Sequence, residues 1–144
     1  MKLSAGVLLR RADGHVLLVH PGGPFWAKKD LGAWSIPKGE HGDDEDPEAC
    51  ARREFAEELG APAPAVLTDL GVVHQKNRKE VRAFHGEGDL NVETVVSNTF
   101  TMEWPPRSGR QQEFPEIDRA EWFPVVEARA KLNPAQAEFL DRLP

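Results

Sequence analysis

Short apolar, β-compatible segments punctuated by turn signals make up most of this chain, and one central stretch follows the period of a helix. Leu3 to Arg10 (LSAGVLLR) is apolar and β-compatible. Ala12-Asp13-Gly14 gives a turn signal, and His15 to His20 (HVLLVH) predicts the returning strand of a hairpin. Pro21 to Ala33 (PGGPFWAKKDLGA) is a Gly/Pro-rich loop with two large aromatics, the kind of segment that shapes a site more often than it fills a core. Trp34 to Gly39 (WSIPKG) predicts a short strand. Val66 to Lys76, Glu80 to Gly88 and Val92 to Trp104 predict further strands, the last with Val95, Ser97, Thr99 and Thr101 alternating against Val96, Asn98, Phe100 and Met102. Pro105 to Asp118 reads as a polar loop and Arg119 to Val125 as a short strand. Two terminal helices follow, Val125 to Leu132 and Pro134 to Leu143, the second started by Asn133-Pro134.

The central stretch has its own punctuation. Asp46 is an N-cap, Pro47 fits the first helical position, and Glu48 complements the positive end of the helix dipole. The helix runs to Leu59, and Gly60 is a natural residue just past its end. With strands outnumbering helices and no repeat or linker, residues 1–144 read as one α/β (α+β) domain.

Charge changes the picture only locally. The net charge of −6 argues against a general nucleic-acid or membrane-surface binder, which would need a basic face. The lone cysteine, Cys50, excludes an internal disulfide framework, and the apolar run Ala5 to Leu9 is too short for a signal peptide, so the cytoplasm is the expected compartment. Nine of the 24 carboxylates, however, fall between Gly39 and Ala61. Like charges three or four residues apart on a helix cost a few tenths of a kcal/mol per pair, roughly, and a cation would offset that. At about 100° per residue, Glu54, Glu57 and Glu58 share one arc, with Phe55, Leu59, Ala56 and Ala49 on the other side. Arg53 lies one turn before Glu57 and can orient it. Cys50 is a spacer within the acidic arc, since a thiolate suits hard cations poorly. An acidic helix face is ordinarily just solvated, and an EF-hand loop would need a central glycine that DDEDPEACARRE lacks. Spacing decides between these readings.

Gly39, Glu45, Arg53, Glu54, Glu57, Glu58 and Gly60 stand in the order and spacing G-x5-E-x7-R-E-U-x-E-E-x-G-U, with Phe55 and Ala61 at the apolar positions. In this the chain resembles the Nudix hydrolases. Agreement at seven fixed positions arises by chance on the order of once in ten million. The resemblance implies an α/β/α sandwich around a mixed central β-sheet. It also implies hydrolysis of a nucleoside diphosphate linked to another moiety, by water attack on phosphorus, with Mg²⁺ or Mn²⁺.

Matched position by position, the resemblance makes Glu54, Glu57 and Glu58 metal ligands, with Gly39 offering a carbonyl. Arg53 would orient the cluster, and Glu45 would be structural. A further acid from a late loop, Glu116 with Glu113 as fallback, would serve as ligand or base. For substrate, Lys38 adjoins the box, Trp34 and Trp26 could stack a base, and Lys76 and Arg78 sit in a basic hairpin with Lys79 and Arg82. Phe25 and Trp104 are further stacking candidates and Arg107 and Arg110 further phosphate contacts, while His20 and His74 read as scaffold. The run from His20 to Glu40 resembles a bacterial group of predicted NTP pyrophosphohydrolases. Dinucleoside polyphosphate hydrolases usually carry a tyrosine past the box, and this chain has none. NTPs, dinucleoside polyphosphates and nucleotide sugars all remain open as substrates, a homodimer is compatible, and a non-catalytic nucleotide sensor on the same fold is the alternative.

Overall fold

The computed structural model describes residues Met1–Pro144. Its main sheet contains β1 (Lys2–Arg10), β2 (Val16–Pro21), β3 (Lys38–His41), β4 (Thr68–Gln75), β5 (Lys79–Glu87) and β8 (Ile117–Phe123). The order is β4-β5-β1-β2-β8, with β3 pairing antiparallel to the first half of β1. β1 runs parallel to β5 from Lys2↔Lys79 to Arg10↔Glu87, so the sheet is mixed. A separate hairpin, β6 (Thr99–Glu103) and β7 (Gln111–Pro115), projects from it. The helices are α1 (Pro47–Leu59), α2 (Val125–Lys131) and α3 (Glu138–Asp141). None is long and apolar enough to cross a membrane.

Both faces of the sheet are covered, which is why β1 and β2 read as continuous apolar runs. Val7, Leu9, Leu17 and Val19 meet Ala51, Phe55 and Leu59 of α1 on one face. Leu8, Val16 and Leu18 join Trp34, Phe123, Leu132 and Phe139 on the other. This is the three-layer arrangement the resemblance implies. Helix α1 begins and ends where its caps predict: Asp46 accepts from the Ala49 N–H at 3.0 Å, and Gly60, at φ 73°, donates to the Ala56 carbonyl. A buried Gln136 ties the C-terminal layer to the strand entry. Its Oε1 accepts from the Ile36 N–H (3.0 Å), and its Nε2 donates to Gln75 Oε1 (2.9 Å) and Ser35 Oγ (3.0 Å).

Four expectations need correcting. Val92 to Trp104 is not one strand: Asn91 accepts from the Glu93 N–H and turns Val92–Thr94 into a 3-10 segment, so only Thr99–Glu103 is extended. The polar stretch after it is not all loop, because Gln111–Pro115 pairs back onto that strand. The last helix shrinks to Glu138–Asp141, preceded by turns. The arc on α1 is also displaced. Its buried residues are Cys50, Ala51, Phe55, Glu58 and Leu59, whereas Ala49 and Ala56 are exposed. One of the three carboxylates therefore lies on the packed side.

Candidate active site

Helix α1 packs across β1 and β3, and this brings its carboxylates to the start of β3. Gly39 is required there by close approach: a Cβ would occupy the space taken by the Glu54 carboxylate. The Cys50 thiol is fully buried and donates to the Gly39 carbonyl at 3.4 Å, so it packs the helix against the strand. Arg53 braces the group from outside. Its guanidinium bonds Glu45, lies 3.5 Å from Glu54 Oε1, and approaches Glu57 Oε1 at 4.0 Å. The hydrogen bond to Glu45 holds its pKa above the usual arginine range. Because one planar fork serves three carboxylates, Arg53→Lys is expected to lower kcat by about 10–100-fold. Steady-state kinetics beside an unchanged thermal melt checks this.

The electrostatics are those of anions held too close together. Glu58 is only 8% exposed, and its Oε2 has no hydrogen-bond partner. Burial, with the charges of Glu54 and Glu116 adding to it, pushes its carboxyl up to about 8, against the opposing pull of Lys38. Burial also raises Glu54, with Glu57 the next cause. Lys38 is shifted the other way, lowered by burial and by Lys79, while Glu58, Glu40 and Glu54 resist. Lys38, Glu58 and Glu116 line one cleft of about 160 Å³, floored by Ser35, Ile36 and Ile117.

A divalent cation fits this donor set. The buried oxygen of Glu58 has no partner within the chain, and its neighbours are oxygen donors of the kind hard cations take. No three acidic, histidine or cysteine side chains are gathered closely enough to enclose an ion by themselves. The set is incomplete without oxygens from outside the chain, and Mg²⁺ typically takes those from water and phosphate.

The other sequence candidates divide. Glu116, between β7 and β8, joins Glu54 and Glu58 electrostatically, whereas Glu113 sits on β7 opposite Thr101 and outside the cleft lining. Trp34 is corrected: it is 1% exposed, wedged edge-on against His20 and Phe123, with its Nε1–H given to Asp30, and has no face free for a base. Trp26 is 40% exposed in the β2–β3 loop, with the Lys29 ammonium 5.1 Å from its ring centre. Lys76 and Arg78 lie at the β4–β5 turn, where Asn77 and Arg78 take positive φ, and neither lines the cleft. His20 is scaffold, bonded to Asp118 and to the Lys29 carbonyl. The cleft floor residues Pro21, Ser35 and Ile117 were not legible. They meet through the bulge in the β2–β8 pairing and the isolated Val19↔Ser35 bridge, which leave no local signal.

A helix that carries three carboxylates, one of them buried, is braced by an arginine and packed on a glycine-opened strand. The family model described as NUDIX domain matches residues 1–143, and the chain belongs to that family, whose hydrolases act on phosphoric anhydrides. No curated protein matches in sequence. Among solved structures it resembles the MutT protein of Methanosarcina mazei Go1, at 21% identity over 98% of this chain and 91% of that one, with a TM-score of 0.62. It also resembles a C. elegans Ap4A hydrolase binary complex, at 19% identity over 96% and 93%, with a TM-score of 0.65. A third likeness is to the NUDIX domain of Shewanella oneidensis NrtR in complex with ADP ribose, at 16% identity over 97% and 84%, with a TM-score of 0.63. At these identities the likeness is one of fold.

Proposed function

We propose that residues 1–144 form one cytoplasmic, Mg²⁺- or Mn²⁺-dependent pyrophosphohydrolase that cleaves a nucleoside diphosphate linked to another moiety. The observation that carries the reading is the convergence of Glu58, Glu116 and Lys38 on one cleft, with Glu54 packed on Gly39 and coupled by charge to Glu58. Glu54, Glu57 and Glu58, with the Gly39 carbonyl, would hold the ion. Bound there, it would neutralise phosphate charge and lower the pKa of water. The chain's own groups do the rest. Lys38 meets a phosphate oxygen with its ammonium, Arg53 fixes the carboxylates, and Glu116 takes the proton of the attacking water. The water oxygen bonds phosphorus as the anhydride P–O bond breaks, and the bridging oxygen leaves on the departing phosphate. A non-catalytic sensor has no need of this full carboxylate set, and nothing in the site favours one.

Two measurements test the reading. Phosphate or nucleotide release is expected from at least one of an NTP, a dinucleoside polyphosphate and ADP-ribose when Mg²⁺ or Mn²⁺ is present, and none with excess chelator. Millimolar Mn²⁺ is also expected to raise the melting temperature, since an ion that binds only the folded state stabilises it. Absence of both effects would refute the metal-dependent enzyme.

A further inference from the structure

Phe25 and Trp26 are the only aromatics among the large hydrophobic side chains left exposed, at 63% and 40%. They are neighbours in the loop between β2 and β3, and that loop leans on the β6–β7 hairpin. The Gly22 N–H donates to the Glu116 carbonyl at 2.9 Å. Gly23, at φ 95°, packs so tightly on Phe100 that a Cβ would meet the ring at 2.9 Å. Phe25 then meets Trp104 edge-to-face, with ring centres 5.7 Å apart. On its return the loop is pinned from beneath. The fully buried His20 has Nε2 2.7 Å from the Lys29 carbonyl and Nδ1 2.7 Å from Asp118. Loop and hairpin thus form one platform rising from Glu116, the outer wall of the catalytic cleft.

Charge follows the same geography. Of eighteen Lys and Arg, ten have a carboxylate within 4.0 Å and eight have none. Four of the eight belong to the platform: Lys28 and Lys29 in the loop, Arg107 and Arg110 in the hairpin turn. In a chain with surplus carboxylates, cations left without a carboxylate beside exposed aromatics suit a ligand that brings both negative charge and a flat ring. Five residues of extended chain, and so six residue-to-residue steps, separate Glu116 from Arg110, about 20 Å at the rise of a strand. A group seated along that wall is well beyond the phosphorus that the carboxylates can reach.

We propose that this platform receives the far nucleoside of a substrate in which two nucleosides are joined by a chain of phosphates. The cleft cuts within the chain while Phe25, Trp26 and Trp104 stack the distant base and the platform cations draw in the polyanion. The proposal rests on the pyrophosphohydrolase reading and narrows its second moiety to a nucleoside. Tyrosine is not needed for this, because any aromatic face stacks a base.

The test compares diadenosine tetraphosphate with ADP-ribose as substrates, with Mg²⁺, for the wild type, F25A/W26A and R107A/R110A. The wild type is expected to favour the tetraphosphate in kcat/KM by about tenfold or more, the size of one stacked base. Each double variant is expected to reduce that preference by about tenfold, through a higher KM for the tetraphosphate. The arginine pair is exposed and without partners, so its loss leaves the fold intact. A wild type that favours ADP-ribose, or variants that slow both substrates alike, overturns the platform and leaves the enzyme reading standing. Turnover of neither substrate by the wild type overturns the platform, and the panel with metal and chelator then decides the enzyme reading separately.

Discussion

Glu57→Gln is expected to lower kcat by about a thousandfold at saturating Mg²⁺, the combined scale of lost charge stabilisation and impaired proton transfer. Glu57 is the member of the trio that faces outward, with 48% of its side chain exposed and Arg53 Nε 4.0 Å away. It is exposed on the helix surface, so the isosteric amide removes the charge and little else. The chelated variant should therefore melt within about 2 °C of the chelated wild type, because exposed substitutions of this kind rarely move stability by more than ±0.5 kcal/mol or so. What should change is the response to metal, with the stabilisation by Mn²⁺ weakened. Equal rates for variant and wild type would end the role assigned to this carboxylate.

Glu58 carries the second large effect, and its sign is the reverse of an ordinary paired carboxylate. Its folded value lies near 8, above the usual 4.5, so between those values the folded chain binds more protons than the unfolded one. Stability then falls as pH rises through that window. In chelator, the loss from pH 5 to pH 8.5 attributable to this group is on the order of 4 kcal/mol, or about 10 °C in melting temperature. Glu58→Gln cannot ionise and should flatten that part of the curve, melting above the wild type at pH 8.5. Adding Mg²⁺ at pH 8.5 should rescue the wild type and leave the variant behind. Melts at several pH values, with chelator and with metal, read all of this; parallel curves for the two proteins would refute it.

What the sequence made legible was whatever depends on spacing along the chain. Asp46, Pro47 and Gly60 bound the helix by local capping chemistry, and the box positions follow one another at fixed intervals. What it hid depends on which way an element faces. A helical wheel places Glu58 with Glu54 and Glu57, but only the contact of α1 with β1 and β3 decides that Glu58 is swallowed and Ala56 left out. Trp34 next to a glycine-rich loop looks like a stacking residue until the second layer of helices closes over it. The Gln111–Pro115 strand escaped notice because both its faces are largely solvated and polar residues dominate it, so no alternation betrays it.

Gln136 joins the floor of the cleft to the far edge of the sheet. One amide side chain satisfies the Ile36 N–H, two residues before Lys38, while also gripping Gln75 on the far edge of the sheet. The carboxy-terminal turn is thereby a keystone for the strand that carries Lys38. Fraying at the tail should be felt at the catalytic mouth before either hydrophobic layer comes apart, and evolution can tune turnover from a segment that holds no chemistry of its own.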